Sequence, residues 1–224
     1  MLSIYLHGFA SSPHSKKARV VQQRFVQAGL PLLIPDLNQN DFAHLTISRQ
    51  MQQVEALLPS SSLDPLGEPP VLLIGSSLGG LTAAWLGDRH DSVHALVLLA
   101  PAFGFLDHWL PKLGETTLQQ WQQNGYLPVY HYREGSEIPL HYGFVCDAQH
   151  YDATQLRRPV PTLILHGLDD EVIPIQASRD YAASRPWVTL VELEGNHTLA
   201  NADDAIWQAI TAMQTYKSGL TEGF

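Results

Sequence analysis

The stretch LIGSSLGGL, residues 73–81, places three glycines and two serines between two apolar runs. Neither a buried strand nor a buried helix favours that composition, because glycine weakens both. Residues 75–79, GSSLG, fit the pattern G-x-S-x-G, in which the serine sits on a sharp strand-to-helix turn. A serine held in that strained turn needs glycine two positions to either side, where larger side chains would collide. We therefore predict that Ser77 is an exposed nucleophile at the N-terminus of a helix.

Short apolar runs alternate with more polar, helix-like segments on both sides of this turn. Apolar strands separated by helices indicate a parallel sheet with helices on both faces, so we predict an α/β fold with about six strands. The strands are expected at residues 2–6, 31–37, 71–75, 94–100, 161–167 and 187–193. The helices are expected at residues 15–28, 45–58, 78–86, 175–184 and 202–216, and a loop at residues 60–70.

One segment, residues 102–158, lies between the fourth and fifth predicted strands and is much longer than the other connections. Long insertions in compact domains are usually functional lids or disordered segments, and the high aromatic content of this one favours an ordered cap over a pocket. We treat the chain as a single domain, residues 1–224, whose cap sets specificity. The candidates for substrate contact are Gly8 outside the cap and Trp109, Tyr130 and Phe144 within it.

The composition limits the classes of partner. The 224-residue chain carries a formal net charge of −9, which argues against nucleic acid or an anionic membrane surface as the main partner. No run approaches the length of a membrane span, and we see no secretory signal at the N-terminus. Cys146 is the single cysteine, which excludes an intrachain disulfide and fits a reducing compartment. We expect a cytoplasmic protein that is either a monomer or a homodimer.

A serine hydroxyl needs a base to activate it and a third group to orient that base. His197 is the candidate base, because it ends the loop segment EGNH after the last predicted strand. The segment HGLDDEVIP follows the fifth predicted strand and offers Asp169, Asp170 and Glu171. Both segments follow the carboxyl ends of strands, where open α/β sheets place catalytic groups. The spacing alone leaves Asp169 and Asp170 as competing candidates for the orienting acid.

Acyl transfer passes through an oxyanion that preorganised N–H donors must stabilise. One donor is expected to be the N–H of Leu78, the residue after Ser77. The other is expected in the loop after the first strand, YLHGFASSP, where we choose the N–H of Phe9. His7 is expected to brace this loop rather than to act as a base.

Four segments, in this order, resemble the α/β-hydrolase superfamily and are most similar to its compact bacterial YqiA-type esterase branch. They are YLHGF-x-SSP-x-S-x-KA, GSSLGG, HG-x-x-DE-x-IP and EGNH, whereas the predicted cap carries no such match. The resemblance implies that Ser77 is the nucleophile, that His197 is the base, and that Asp170 rather than Asp169 is the acid. It also implies that the N–H groups of Phe9 and Leu78 bind the oxyanion.

The resemblance further implies hydrolysis of short-chain carboxylic esters and, in some members, of acyl thioesters. It also implies that two N-terminal antiparallel strands of the larger fold are absent. We therefore expect a serine esterase or thioesterase for short to medium acyl chains. Its partner would be a small-molecule ester or thioester, and it would need no cofactor. Activity should fall at acid pH, since a protonated His197 cannot accept the serine proton.

Two other functions remain open on the sequence. The same serine and histidine would serve an amide hydrolase such as an aminopeptidase, in which acidic cap residues would bind the free amine. The candidates for that role are Glu134, Glu137 and Asp147. The chain would instead be a ligand-binding protein without turnover if the fold were kept and the chemistry lost. Labelling of Ser77 by a fluorophosphonate probe separates an active serine from an inert one.

Two further clusters contain possible metal ligands or basic side chains. The spacing of the possible metal ligands in the cap matches no common zinc pattern, so we expect no metal there. These ligands are His131, His141, Cys146, Asp147, His150 and Asp152. Lys16, Lys17 and Arg19 form a basic cluster near the oxyanion loop, either on a solvated helix face or as a dock for an acyl-CoA phosphate. Charge reversal at Lys16 and Lys17 should raise KM for acyl-CoA, but not for neutral esters, if the dock exists.

Overall fold

The computed structural model describes residues 1–59 and 69–215. Its strands are β1 (Leu2–Leu6), β2 (Val71–Ser76), β3 (Val93–Leu99), β4 (Tyr126–His131), β5 (Ser136–His141), β6 (Thr162–Gly167) and β7 (Val188–Leu193). Five of them form one sheet in the order β1-β2-β3-β6-β7, and every neighbouring pair in it is parallel. β4 and β5 form a separate antiparallel hairpin.

Helices cover both faces of the sheet. They are α1 (Lys16–Gln27), α2 (Ile47–Glu55), α3 (Leu78–Arg89), α4 (Phe105–Leu113), α5 (Glu115–Asn124), α6 (Gly143–Ala148), α7 (Ile175–Ala183) and α8 (Asp203–Thr215). Buried side chains of α1 and α8 pack on one face with Leu72 and Ile74 of β2, while α2, α3 and α7 pack on the other. Each fully buried aliphatic side chain contributes about 1.5–3 kcal/mol relative to exposure. The predicted α/β-hydrolase architecture, a mostly parallel sheet between two helical layers, is therefore the observed one.

One predicted strand is wrong, and within residues 1–59 and 69–215 the sheet has five strands rather than about six. In residues 31–37 only Leu33 pairs with the sheet, through a single parallel bridge to Ile4. Pro31 and Pro35 flank this bridge, and proline has no N–H to donate to a strand ladder. Leu33 is also exposed, although Leu37 is buried and Leu32 and Ile34 pack against the core.

The other predicted elements are present, with boundaries that differ by at most three residues. Most of the predicted loop at residues 60–70, and Tyr216 at the end of the last predicted helix, lie outside the described residues. Within the part of the chain that the structure describes, no helix combines the length and apolarity needed to cross a lipid bilayer.

The segment predicted as a cap, residues 102–158, connects β3 to β6 and contains α4, α5, the hairpin and α6. The Trp121 indole N–H donates to Leu140 O over 2.8 Å and joins α5 to the hairpin. At the end of the segment, the Arg158 guanidinium donates to main-chain carbonyls at the C-terminus of α3 and the start of β3. Hydrogen bonds therefore connect elements within the insertion and join its end to α3 and β3.

Candidate active site

Ser77 occupies the turn between β2 and α3. β2 ends at Ser76 and α3 begins at Leu78, so a single residue makes the connection. Ser77 has φ 54° and ψ −117°, a positive-φ conformation that residues other than glycine rarely adopt. Its N–H donates to Leu99 O of β3 over 2.9 Å. The sheet therefore holds the backbone of this turn in a strained conformation at the carboxyl end of the central strands.

Gly75 and Gly79 have no room for a side chain. A Cβ on Gly75 would lie 2.3 Å from Gly79 O, and a Cβ on Gly79 would lie 2.3 Å from Leu6 O at the end of β1. Both neighbours are backbone atoms that cannot rotate away. The absence of side chains at Gly75 and Gly79 thus allows the end of β2 to approach the first turn of α3, and α3 to pack directly against β1.

We expect Gly79→Ala to lower the free energy of unfolding by about 3 kcal/mol or more, because the new methyl group must displace the backbone of β1. Urea unfolding followed by circular dichroism measures this. Gly135→Ala is the control for added bulk: unlike Gly79 it has a positive φ, 64°, but no atom lies within 4 Å of the added Cβ. Backbone strain alone should cost it about 1–2 kcal/mol. Equal losses in the two variants would contradict the steric explanation.

His197 and Asp170 converge on Ser77 from the loops after β7 and β6. Ser77 Oγ lies 3.0 Å from His197 Nε2, and His197 Nδ1 lies 2.7 Å from Asp170 Oδ2. An ionised carboxylate can only accept, so Nδ1 carries the hydrogen and the Nε2 lone pair faces the serine hydroxyl. The three side chains form one continuous line of hydrogen bonds, although they are far apart in the sequence.

The two candidates for the orienting acid, Asp169 and Asp170, have different environments in the structure. Asp169 is exposed, whereas Asp170 is buried. Oδ1 of Asp170 accepts hydrogen bonds from the N–H groups of Val172, over 2.9 Å, and Ile173, over 2.8 Å. Burial opposes ionisation of Asp170, but hydrogen bonds from His166, His197 and Ile173 outweigh it and hold its pKa well below the ordinary value.

His166 is part of this arrangement, and the sequence reasoning gave it no role. It is completely buried, with Nε2 lying 3.0 Å from Asp170 Oδ2 and 2.9 Å from Ile173 O. Both are acceptors, so Nε2 carries the hydrogen and Nδ1 accepts from the Ser178 hydroxyl over 2.8 Å. His166 therefore donates to the same carboxylate oxygen as His197 and helps to fix its position. Its position four residues before Asp170, at the end of a strand, was the available signal.

The predicted oxyanion donors lie beside Ser77. Gly8 is so close that a Cβ on it would fall 3.8 Å from Ser77 Oγ. Within residues 1–59 and 69–215, neither Phe9 N nor Leu78 N has a hydrogen-bond acceptor. His7, which is buried, braces this loop: its Nδ1 donates to Gly8 O and its Nε2 accepts from Leu37 N, each over 3.0 Å.

The Phe9 ring lies at the centre of an aromatic cluster that joins this loop to the cap. Its centroid is 5.3–5.7 Å from the centroids of Phe42, Phe105, Trp109 and Phe144. Two of the predicted substrate contacts, Trp109 and Phe144, are therefore brought to the site, although Phe144 is fully buried. Tyr130 lies elsewhere, half exposed on the hairpin against Tyr132. The structure gives Tyr130 no contact with the cluster, and its role in binding stays a prediction.

A cavity of about 260 Å³ lies between α2, α3, α4 and α6. Leu81 and Phe105 are in its wall. Leu81 is one helical turn after Ser77, and its N–H donates to Ser77 O over 3.2 Å. Phe105 contacts the Phe9 ring in the aromatic cluster. Ser77 and His197 do not line this cavity, and Leu81 and Phe105 connect its wall to the site.

The other predicted groups have separate locations. Among the described residues, no group of three or more His, Cys, Asp or Glu side chains is arranged to hold a metal ion. The Asp147 carboxylate accepts from Ser48, and Glu134 lies against Arg133. Lys16 and Arg19 are exposed, but Lys17 turns inward, so the basic cluster expected on one solvated face is divided.

Comparisons with known proteins agree with this architecture. The chain matches the family described as "Uncharacterised protein family (UPF0227)" over residues 2–214 and belongs to it. It is 28% identical over 217 residues to "Palmitoyl-protein thioesterase ABHD10, mitochondrial" of Mus musculus, covering 90% of this chain and 70% of the mouse protein.

Solved structures give the same result. The structure of alpha/beta hydrolase domain-containing protein 10 from mouse superimposes with a TM-score of 0.71 at 24% identity, covering 95% of this chain and 87% of that one. A protein from Agrobacterium vitis S4 gives a TM-score of 0.79 at 25% identity, with the same coverage. The chain therefore has the α/β-hydrolase fold, and the resemblance seen in the sequence is confirmed.

Proposed function

We propose that this protein is a serine hydrolase that cleaves carboxylic esters or acyl thioesters through an acyl-enzyme intermediate. The observation that carries the proposal is the continuous line of hydrogen bonds from Ser77 Oγ through His197 to the buried Asp170. A nucleophile in contact with a base, and that base in contact with a buried acid, is the arrangement that acyl transfer requires.

In the first half of the reaction, Ser77 Oγ attacks the carbonyl carbon while His197 Nε2 accepts the hydroxyl proton. The carbonyl oxygen becomes an oxyanion that the N–H groups of Leu78 and Phe9 stabilise. Asp170 keeps Nδ1 protonated and offsets the positive charge that forms on the imidazole. As the C–O or C–S bond breaks, His197 returns the proton to the leaving alcohol or thiol, and the acyl group stays on Ser77.

In the second half, His197 Nε2 accepts a proton from water, and the resulting hydroxide attacks the acyl carbon. The tetrahedral intermediate uses the same two N–H donors and collapses by breaking its bond to Ser77 Oγ, which takes the proton back from His197. The free acid leaves. No cofactor takes part in either half.

The similarity to a protein named as a palmitoyl-protein thioesterase supports a substrate with an activated acyl group. The aromatic cluster around Phe9, beside the proposed oxyanion donors, supports an apolar acyl chain of short to medium length. An oxyanion-hole site cleaves esters and thioesters by the same steps, so the chemistry leaves both within this proposal. The cytoplasmic location expected from the sequence stays a prediction.

We expect a panel of p-nitrophenyl esters and acyl-CoA thioesters to show highest kcat/KM for short to medium chains and lower values for long ones, because aromatic side chains pack closely between the oxyanion loop and the cap. Aminoacyl p-nitroanilides form the third arm and test the amide-hydrolase alternative. A preference for anilides over esters of the same acyl group would overturn the ester assignment. Turnover of none of the three classes, together with failure to react with a fluorophosphonate, would favour a binding protein.

A further inference from the structure

Lys17 is a half-buried lysine of α1 whose side chain turns toward the sheet. Its Nζ donates to Ser76 Oγ over 3.1 Å. The adjacent Lys16 is exposed, so two neighbouring lysines of one helix have opposite surroundings. Burying a lysine amine removes favourable hydration, and such a position needs compensating contacts.

Ser76 is the last residue of β2 and the residue directly before Ser77. Alternate residues of β2, Leu72 and Ile74, face the layer formed by α1 and α8, and Ser76 continues this alternation. The buried phenol of Tyr5 in β1 also contacts the Ser76 hydroxyl. Lys17 therefore contacts the side chain of the residue directly before the strained turn, on the face of the sheet opposite the aromatic cluster.

Carboxylates from two other elements attract the Lys17 ammonium. They are Asp170, from the loop after β6, and Asp203, the first residue of α8. Burial lowers the pKa of Lys17 to about 8, and these two negative charges act in the opposite direction. The remaining charges nearby, Arg24 of α1 and Asp204 of α8, are paired with each other.

Resting on the proposed function, we propose that the Lys17 ammonium is a positioning residue for the reaction. It links the serine side of the site, through Ser76, to the acid and histidine side, through the charges of Asp170 and Asp203. α8 begins six residues after His197, so the attraction to Asp203 restrains the loop that carries the base. The link holds Ser77 Oγ and His197 Nε2 in contact and is lost when Lys17 gives up its proton.

The test is the pH profile of kcat with p-nitrophenyl acetate between pH 6 and 9.5, with the uncatalysed rate subtracted. For the wild type we expect kcat to fall above about pH 8. Lys17→Arg should keep its activity through pH 9.5, because guanidinium stays charged. Lys17→Gln keeps a donor for Ser76 without the charge and should lose about 10- to 100-fold in kcat at pH 7, with no alkaline fall.

Lys16→Gln is the matched control and should behave as the wild type. The proposal is overturned if Lys17→Gln retains wild-type kcat, or if its profile keeps the alkaline fall. If Lys17→Arg does not fold, as judged by circular dichroism, the Lys17→Gln profile decides alone. Ser77→Ala is measured in parallel: if it stays active, the proposed function itself fails. If Ser77→Ala is inactive while the Lys17 variants match the wild type, only the positioning role is wrong.

Discussion

Ser77→Ala is expected to lower kcat for ester hydrolysis by about 10⁴- to 10⁶-fold while the protein remains folded. The hydroxyl is the only group at this position that can form the acyl-enzyme, and a water molecule in its place lacks the fixed geometry of the turn. The remaining rate over the uncatalysed reaction would come from oxyanion binding and substrate positioning. Stopped assays with a p-nitrophenyl ester give kcat, and intact-protein mass spectrometry detects the fluorophosphonate adduct.

Ser92→Ala is the matched control. Ser92 lies just before β3, at the amino-terminal end of the strands, whereas the site lies at their carboxyl ends. It should retain activity within about twofold, since surface substitutions away from special features have small effects. Both variants should show the wild-type far-ultraviolet spectrum. Retention of full activity or of probe labelling by Ser77→Ala would exclude Ser77 as the nucleophile.

The second large effect is expected for Asp170→Asn, which should lower kcat by about 10⁴-fold. The carboxylate accepts from two histidines and from two backbone N–H groups. A carboxamide offers one oxygen and one NH₂ group, so at least one of these donors would face another donor. His197 would then favour the tautomer with hydrogen on Nε2, which cannot accept the serine proton.

Asp169→Asn controls for the loss of one negative charge in the same loop. Asp169 is exposed, and its variant should keep kcat within about twofold. The pair of variants thus tests the choice that the spacing alone left open. Comparable losses in both, or a larger loss in Asp169→Asn, would show that the acid has been misassigned.

The sequence predicted the architecture because burial on both faces leaves a clear signal. β2, β3 and β6 are apolar along almost their whole length, and each is followed by turn residues. The segment at residues 31–37 has a similar apolar content, but its two prolines lack the N–H groups that a strand needs for hydrogen bonding. The hydrophobic pattern alone carries no information about these missing donors. The missing N–H groups of Pro31 and Pro35, rather than a lack of hydrophobicity, therefore explain why this segment does not form a strand.

The cap was predicted as a unit, but its internal structure was not. β4 alternates between exposed and partly buried positions and contains Pro128, so neither its period nor its composition is typical of a core strand. Its stability comes from pairing with β5 and from contacts such as that of Trp121 with Leu140, which link distant residues. Contacts between residues that are distant in the sequence cannot be recognised from the local pattern of residues.

The proposed catalytic side chains were accessible from the sequence because each ends a recognisable strand-loop segment. His166 and Lys17 were not, since their contribution depends on which way a side chain turns. Lys17 and Lys16 are identical in type and adjacent, and only the packing of α1 against β2 separates them. Residues that act on a reacting group only through other residues have no characteristic sequence motif by which they can be recognised.

Phe9 connects the cap to the proposed reaction centre, since its ring packs against cap aromatics and its N–H is the proposed second oxyanion donor. Substitutions of the α4 aromatics that contact this ring would therefore alter the surroundings of a proposed oxyanion donor as well as the walls around the substrate.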